Sequence, residues 1–391
     1  IHFNGKESLK AGIERINKSV EDDFTHILPL YRESYPAAGN VARADMDNAV
    51  MKGSKTIQIH SITKKPKRQR LRTKAYQQFA SKEEFNKWID DCYLLMGQGF
   101  FYQHNFSAAA ENFSLILRKF PDEKIRYDAM VWLIRSYNEL DRFSEAMEII
   151  QLLQSDKSFP RKLEKELAKV TADHYMKQKD YPESIKYLDI CLKKSSDRKE
   201  KARIQYIVAQ LYRETGNEEK ARNAFLAVRK FNPPFKMAFN AWINAAGIFS
   251  GQGDPEKTKK ELRKMLRDEK NVEFRDQIYF ALANILYKEG DRKAAIENYR
   301  KSVSSSVDNT YQLALSSITL ADIYFEEPDY REAQAYYDSA MIVIGEEYPD
   351  YDKLNERYKS LTRLVENLTT IEVQDSLQKL ALMPEKEREA L

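Results

Sequence analysis

The chain has 391 residues and a formal net charge of +4, and charged residues make up 32% of it. The charge is too small to indicate a nucleic-acid partner by itself, and no run of about eighteen apolar residues predicts a membrane span. Glycine and proline are scarce, with twelve of each, which is typical of a mostly helical protein.

Residues 1–63 are predicted to form an N-terminal helical region. Apolar residues at helical spacing predict one helix over residues 7 to about 21 and another over residues 43–60, with a loop at residues 35–40. Pro29 limits how far helix continues between them. The apolar residues expected to be buried in that interval are Phe24, Ile27, Leu28 and Leu30.

A basic linker is predicted at residues 64–80. Seven of the eleven residues from 64 to 74 are basic, and such a run is typical of a solvated loop. Two alternatives remain, which are an electrostatic contact with anionic lipid or an acidic partner, and a nuclear-import signal. Only one aromatic residue, Tyr76, lies nearby, which argues against a stacking surface for nucleic-acid bases. The basic residues are Lys64, Lys65, Lys67, Arg68, Arg70, Arg72 and Lys74.

Residues 81–348 contain a helix–turn–helix unit that occurs seven times. With Asp90 counted as position 1, position 20 recurs at spacings of 37, 38, 37, 37, 37 and 38 residues and is nearly always small. Position 8 is mostly small as well, and positions 11 and 24 are large and apolar. Small residues let helix A and helix B of a unit cross closely. The residues predicted to form these crossings are Gly97, Ala109, Ala146, Ala172, Ala209, Ala221, Ala246, Ala283, Ala295, Ala321 and Ala333.

This arrangement is the tetratricopeptide-repeat (TPR) pattern. The usual repeat has about 34 residues, so the additional residues are expected in the connections between units or as an added helical turn. Residues 349–391 are predicted to cap the array with one helix over residues 351–368, a second over residues 374–382 and a third beginning at Pro384. The predicted fold class is all-α, a right-handed TPR solenoid of about seven repeats between a helical N-terminal region and C-terminal capping helices.

No residue pattern predicts catalysis, a metal site or a cofactor, and the chain is predicted not to be an enzyme. The five histidines form no pair with metal-ligand spacing. His104 falls at position 15, in the turn between helices A and B, and is expected to be exposed. Cys92 and Cys191 lie more than two repeats apart, so no disulfide is expected, and Cys191 is predicted to be a core residue.

Helix A offers the best candidate for a binding surface. Positions 2, 5, 9 and 12 line the concave face of a TPR solenoid, and position 5 is apolar in six units of seven. Either these residues pack against neighbouring helices, or they form an apolar groove with polar edges that takes a helix or an extended segment. The groove hypothesis names Leu94, Phe101, Val131, Tyr206, Ile243, Phe280, Tyr287, Ile318 and Phe325.

The stretches outside the repeats resemble the SprE/PorW lipoproteins of the Bacteroidota type IX secretion system. The resemblance lies in Phe3-Asn4-Gly5-Lys6-Glu7, in Asp22-Asp23-Phe24 through Leu28-Pro29-Leu30, in His60-Ser61-Ile62 with the basic run, in Trp88-Ile89-Asp90-Asp91 through Gly97, and in Gln374-Asp375-Ser376-Leu377. It extends over essentially the whole chain. The chain begins at Ile1 rather than Met, and a fragment of a longer protein is expected.

The resemblance implies a non-enzymatic scaffold of a secretion and gliding machinery. It places the protein at the periplasmic face of the outer membrane, between a translocon of the SprA/Sov type and a periplasmic ring of the GldK/PorK and GldN/PorN type. The membrane contact would be a lipid anchor upstream of Ile1, and no nucleic-acid partner is implied. The alternative is a soluble TPR adaptor or co-chaperone that binds a peptide segment in its concave groove.

Overall fold

The computed structural model describes residues 1–64, 79, 82–248, 255–346, 348 and 350–384. Their regular elements are all helical, and they belong to two compact units, Ile1–Ala241 and Trp242–Leu391. The predicted all-α fold class is confirmed. Most of the basic run, from Lys65 to Lys74, lies outside the described residues, and Lys64 is exposed.

The first unit contains an N-terminal group of helices followed by four helix pairs. The N-terminal helices are α1 (His2–Ser19), α2 (Ala38–Val41) and α3 (Arg43–His60). Pair 1 is α4 (Ile89–Tyr102) with α5 (Phe106–Lys119), pair 2 is α6 (Ile125–Glu139) with α7 (Phe143–Ser155), pair 3 is α8 (Glu164–Lys177) with α9 (Tyr181–Lys194), and pair 4 is α10 (Arg198–Glu214) with α11 (Glu218–Val228).

Within the described ranges, the helices that follow bring the number of pairs to seven and add one terminal helix. Pair 5 is α12 (Phe235–Gly247), in which the boundary between the units falls, with α13 (Pro255–Leu266). Pair 6 is α14 (Arg275–Lys288) with α15 (Arg292–Ser305), and pair 7 is α16 (Thr310–Glu326) with α17 (Tyr330–Met341). The terminal helix is α18 (Tyr351–Leu382).

In pairs 1, 3, 4, 6 and 7 the start of helix B is fixed by an Asn or Asp cap. The side chains of Asn105, Asp180 and Asn217 each accept a hydrogen bond from the backbone N–H three residues later, at 3.2–3.3 Å. These bonds satisfy backbone donors that a helix leaves unpaired at its first turn. Of the turns that the structure describes, two use a glycine with positive φ just before the cap, Gly216 at 72° and Gly290 at 86°.

The small residues at positions 8 and 20 lie where the helices of a pair cross. At Gly97 an added Cβ would lie 2.5 Å from the Phe113 ring, so no larger residue fits while that ring stays in place. Of the eleven residues predicted for these crossings, all are buried except Ala246, which is half-buried. The seven-pair frame read from the sequence therefore matches the packing.

The N-terminal helices pack as one further pair on the array. Helix α3 spans Arg43–His60, as the sequence predicted, whereas α1 begins earlier than expected, at His2. Helix α1 lies against α3 so closely that a Cβ on Gly12 would approach Met46 Cε to 2.5 Å. Part of the predicted loop at residues 35–40 belongs to the short helix α2.

The prediction of separate C-terminal helices is wrong between residues 369 and 373, because α18 continues through this stretch. Thr369 and Thr370 do not break it, and their hydroxyls donate to the backbone oxygens of Val365 and Glu366 at 2.8 and 2.9 Å. The predicted apolar face does face the last pair, with Leu361 3% exposed. The helix expected after Pro384 lies outside the described residues.

Candidate functional site

In the first unit, the candidate groove is filled by the chain itself. We define the groove as the face formed by positions 2, 5, 9 and 12 of the A helices α6, α8 and α10, and the groove segment as residues 20–35, which connect α1 to α2. The segment is an irregular loop with one short 3-10 turn at Arg32–Ser34, and it folds back on itself, because Asp22 pairs with Arg32. Leu28, Leu30 and Tyr31 are buried at exposures of 0, 2 and 7%.

One end of the groove segment is held by an ion-pair cluster around Asp22. The Asp22 carboxylate is only 3% exposed and contacts the guanidinium groups of Arg203 on α10 and Arg32 of the segment, the latter at 2.8 Å. Arg203 Nη2 also donates to the backbone oxygen of Pro29 at 2.7 Å. A single side chain at position 2 of pair 4 thus contacts the segment at two points seven residues apart.

The middle of the groove segment is recognised through its backbone. The Gln210 amide at position 9 of α10 donates from Nε2 to the backbone oxygen of His26 at 2.6 Å and accepts from the Leu28 N–H at 3.0 Å. At position 5 of the same helix, the Tyr206 ring meets the Phe24 ring edge to face, with centroids 5.2 Å apart. Two backbone bonds and one aromatic contact therefore fix the register of the segment on α10.

The other end of the groove segment lies against Arg135, at position 9 of α6. Arg135 Nη2 donates to Glu33 Oε1 at 2.6 Å, with side-chain exposures of 9 and 15%. The guanidinium carbon lies 3.9 Å from the ring centroid of Tyr31, 4.3 Å from that of Trp132 and 4.6 Å from that of Phe101. Stacking on aromatic faces suits a guanidinium, which holds its hydration more weakly than an ammonium group.

Burial raises the pKa of the Glu33 carboxyl, but the charge and hydrogen bond of Arg135 outweigh it, so the net pKa lies below the ordinary value. On α8, the Lys169 ammonium lies 4.7 Å from the Tyr31 ring and pairs with Glu200 at 2.9 Å. Cations on three successive A helices, Arg135, Lys169 and Arg203, therefore meet a segment that carries carboxylates at both ends.

The expectation that His104 is exposed is wrong. His104 Nε2 lies 2.7 Å from the backbone oxygen of Glu33, and its ring stacks on Phe106 with centroids 5.3 Å apart. A Cβ on Gly39 would lie 3.0 Å from the His104 ring, so the chain after the groove segment passes directly over this turn. The sequence pattern of a single repeat carries no information about that long-range contact.

Beneath the groove segment lies a buried polar network on α6 and α8. Asn138 Nδ2 lies 3.1 Å from Asp173 Oδ2, and Asn138 Oδ1 lies 3.1 Å from Nδ1 of His174. Burial raises the pKa of the Asp173 carboxyl to about 6, with the Lys177 charge opposing the shift and the Glu139 charge adding to it. Burial likewise lowers the pKa of His174.

This raised pKa predicts a pH-dependent stability. The Asp173 pKa is higher in the folded chain than in the unfolded chain, so its contribution is complete below about pH 4 and is lost as the pH rises through about 6. We expect Asp173→Asn to increase the free energy of unfolding at pH 7 on the order of 2 kcal/mol, and to have little effect at pH 4. Urea denaturation at both pH values measures this, with Asp122→Asn, at an exposed carboxyl, as the control. An equal effect of Asp173→Asn at both values contradicts the assignment.

The residues of the groove hypothesis divide between the two units. Phe101, Val131 and Tyr206 are buried at exposures of 2, 5 and 0% and so offer no surface to a separate protein while the groove segment is in place, and Leu94 is half-buried. In the second unit, Ile243, Phe280, Tyr287 and Ile318 are half-buried, and Phe325 is 41% exposed. Apart from Leu94, the residues of the groove hypothesis that stay accessible thus belong to the second unit.

The polar residues that hold the segment, chiefly Arg203, Gln210 and Arg135, are not among the site residues predicted from the sequence. One sequence signal points to the two arginines, and another points to the segment itself. Three neighbouring pairs each carry a cation at a groove position: Arg135 in pair 2, Lys169 in pair 3 and Arg203 in pair 4. A groove filled only with water does not require charges of a single sign. The Leu28-Pro29-Leu30 run is apolar but cannot continue a helix, which indicates a buried segment outside the helices.

The remaining candidate groups are structural. Cys92 and Cys191 are free and buried, and burial raises the pKa of their thiols to about 11 and about 12, so both are protonated at neutral pH. In the part of the chain that the structure describes, no three His, Cys, Asp or Glu side chains are grouped to hold a metal ion. No described helix is both long enough and apolar enough to cross a bilayer.

Comparison with known proteins supports the repeat assignment. Tetratricopeptide-repeat family models match residues 170–234 and 276–307. No curated protein matches the sequence. The solved structures that it resembles include a tetratricopeptide-repeat protein from Parabacteroides merdae ATCC 43184, at 13% identity over 70% of this chain and 98% of that chain, with a TM-score of 0.47.

Two other structures are the C-terminal part of a TPR repeat-containing protein from Cytophaga hutchinsonii and the pilF protein of Pseudomonas aeruginosa. Their identities are 11 and 18%, their TM-scores 0.41 and 0.37, and they cover 78 and 68% of this chain and 93 and 97% of their own. These similarities are too weak to carry an argument about function. The repeats themselves define the class: the chain is a tetratricopeptide-repeat protein, with a fold of the non-catalytic, protein-binding type.

Proposed function

We propose that the chain is a scaffold of the type IX secretion and gliding machinery, of the SprE/PorW kind. In this role it links the outer-membrane translocon to the periplasmic ring from the periplasmic face of the outer membrane. A lipid anchor upstream of Ile1 would hold the protein at the membrane, and the repeats would contact both assemblies. The proposal involves no catalysis and no cofactor.

One observation carries the proposal, which is the resemblance of the stretches outside the repeats to that family. Repeats alone define only a protein that binds proteins. The non-repeat stretches have specific roles in this chain: Asp22, Phe24 and Leu28 lie in the groove segment, and Gly5 lies at a helix crossing. The resemblance therefore involves residues on which the packing of the first unit depends.

The alternative function, a soluble adaptor that takes a peptide in its concave groove, is less well supported in the first unit. There the groove is filled by residues 20–35, and Asp22 and Leu28 are almost completely buried. For the scaffold we place the partner surface on the second unit, at Ile243, Phe280, Tyr287, Ile318 and Phe325. A half-buried apolar row is a common feature of protein interfaces.

The test is crosslinking and recovery of the full-length tagged protein from its native envelope, followed by mass spectrometry. We expect translocon and ring components to be enriched, and Phe280→Asp with Ile318→Asp to reduce their recovery at least about tenfold, since a charge in an apolar contact costs more than 1.4 kcal/mol. The control variant carries Val307→Asp and Ile342→Asp, two apolar residues that are 86 and 76% exposed.

Two results contradict the proposal. If cytoplasmic chaperones or their clients are recovered instead, the adaptor function is the better one. If Phe280→Asp with Ile318→Asp unfolds the second unit, as judged by circular dichroism, these residues are core and the partner surface lies elsewhere. Reading the complete gene for a signal peptide that ends in a cysteine is an independent check on the lipid anchor.

A further inference from the structure

We infer that one end of the helix pairs in the first unit docks on a membrane surface that contains anionic phospholipid. We define the basic edge as the connections that follow pairs 1 to 4, together with the helix ends beside them. These are residues 118–126, 155–162, 192–199 and 229–236. The contact goes beyond the lipid anchor proposed above, because the folded repeats themselves make it, and it requires no component of a secretion machinery.

The connections lie at one end of the pairs because helix B of each pair runs back beside helix A. Lys194, at the end of α9, pairs with Glu164, at the start of α8, at 2.5 Å. Successive connections also meet. Tyr127, at the start of α6, donates to the carboxylate of Asp156, just after α7, at 2.8 Å. The first two connections border one cleft of about 470 Å³. The fold therefore presents the charges of these connections together.

Positive charge is concentrated at this end of the pairs. The basic edge has fourteen Lys and Arg residues against four Asp and Glu residues. The turns at the other end of the same pairs, residues 102–108, 139–146, 177–184 and 213–220, have five Lys and Arg residues against eight Asp and Glu residues. The net charge of the whole chain is only +4, so the composition alone does not reveal this separation.

The cations of the basic edge are available to an anionic partner. In the residues that the structure describes, each of the four connections has an exposed cation that forms no ion pair: Lys124, Lys162, Lys199 and Lys230. Three of the four carboxylates are already engaged. Glu123 pairs with Lys82. The Asp156 carboxylate accepts from Tyr127, and that of Asp197 caps α10. The positive charge of the edge is therefore not neutralised by the protein itself.

The same end of the pairs presents apolar side chains. Among the described residues of pairs 1 to 4 and their connections, the large apolar side chains that are exposed lie in the last two turns of a helix B or at the start of α12. They are Leu152, Ile190, Leu226 and Phe235, at exposures of 53, 37, 37 and 52%. A surface that meets a bilayer combines cations for the phosphate groups with apolar side chains for the boundary between headgroups and acyl chains.

The spacing of these residues favours a lipid surface over an acidic protein or a nucleic acid. Leu152, Ile190 and Leu226 belong to three successive pairs, so they are single apolar residues about one repeat apart. Phospholipids move laterally and adjust to such a spacing, whereas a folded protein would need a matching repeat. A nucleic-acid duplex offers phosphates but no apolar layer for these side chains.

The test is sedimentation of the 391-residue chain with lipid vesicles. The vesicles contain phosphatidylcholine alone or with about one third phosphatidylglycerol, in about 0.1 M or about 0.5 M salt. At the lower salt concentration we expect binding to the anionic vesicles to be at least about tenfold tighter than binding to the neutral ones. This difference should fall as salt rises, because exposed charges are screened. Equal binding to both kinds of vesicle, or no binding, overturns the inference.

Two variants with the same change in net charge locate the contact. Lys162→Ser with Lys199→Ser and Lys230→Ser should weaken binding to the anionic vesicles roughly 10²-fold. The control removes three cations from the turns at the other end of pairs 2 to 4 and should change binding by less than about threefold. Its substitutions are Arg142→Ser, Lys179→Ser and Lys220→Ser. An equal loss in both variants means that binding follows net charge and not the basic edge, which contradicts the inference.

Entry of the apolar side chains is measured separately with Phe235→Trp, at a residue that is 52% exposed. Brominated phosphatidylglycerol quenches a tryptophan that reaches the boundary of the acyl chains. Vesicles of this lipid should therefore quench a larger fraction of the emission of the variant than of the unsubstituted chain. This measurement needs no charge variant, so it decides the question even if the serine variants lose helicity. Equal quenching of the two chains overturns the inference, as does binding to duplex DNA or an acidic protein without binding to the anionic vesicles.

Discussion

Replacing Ala333 by arginine should unfold pair 7. Ala333 is 0% exposed at position 20 of α17, where this helix crosses α16 at the equally buried Ala321. Overpacking a core position costs about 1–3 kcal/mol, and burying an unpaired charge adds to this cost. We therefore expect the free energy of unfolding to fall by about 3–5 kcal/mol. Circular dichroism should show a lower melting temperature, and hydrogen exchange should show lost protection in α16 and α17. Ala221→Arg and Ala295→Arg, at position 20 of pairs 4 and 6, are expected to act similarly.

The same helix offers a matched control. Ala335 lies two residues further along α17 and is exposed, so Ala335→Arg adds the same side chain without burying it. It should change the free energy of unfolding by no more than about 0.5 kcal/mol, as most surface substitutions do. Equal destabilisation by the two variants would mean that position 20 does not mark a helix crossing, and the repeat frame would then be wrong.

The repeats were predictable because their signal is local and is repeated seven times. Small residues at positions 8 and 20 are required wherever two helix axes cross, and each crossing lies within about 34 residues of sequence. The limits of α3 followed from helical periodicity in the same way. The sequence predicts a break in α18 that the structure does not have. Thr369 and Thr370 lower helix propensity, but the backbone hydrogen bonds of the helix continue through them.

The content of the groove was not predictable by the same route. The Leu28 N–H bonds to a residue 182 positions away, and Arg135 pairs with a residue 102 positions away. The apolar residues of the groove segment follow neither the helical nor the strand period, so hydrophobic periodicity gives no information about which residues the segment contacts. The sequence leaves open whether position 5 packs against neighbouring helices or forms a groove, and in pairs 2 and 4 its residues Val131 and Tyr206 are buried in the first unit.

The contact between Arg135 and Glu33 should contribute more to stability than any exposed ion pair in the chain. Replacing Arg135 by methionine keeps an apolar side chain among Tyr31, Phe101 and Trp132, but leaves the Glu33 carboxylate without its cation in a poorly hydrated place. Breaking a buried pair in this way costs about 3–5 kcal/mol. Urea denaturation followed by tryptophan fluorescence, to which Trp132 beside Arg135 contributes, should register that loss.

A similar pair on the surface provides the control. Arg142 bonds Glu145 at 2.8 Å and its guanidinium carbon lies 4.4 Å from the Tyr137 ring centroid, but the two charged side chains are 49 and 42% exposed. Arg142→Met should therefore change stability little, because exposed pairs keep their hydration when a partner is removed. If both methionine variants behave alike, the groove segment is not held by its charges.

The double variant Glu33→Leu with Arg135→Met separates the ion pair from the loss of a stacked side chain. Removing both charges leaves no unpaired group, so we expect it to recover most of the stability that Arg135→Met loses. The pH dependence gives a second readout. The folded pKa of Glu33 is lowered, so its contribution is present above the unfolded pKa and is lost as the pH falls through the folded pKa. The intact chain should lose this contribution on acidification, whereas the double variant should not. If the double variant is as unstable as Arg135→Met at neutral pH, the stacking of Arg135 on the three rings, rather than its charge, fixes this end of the groove segment.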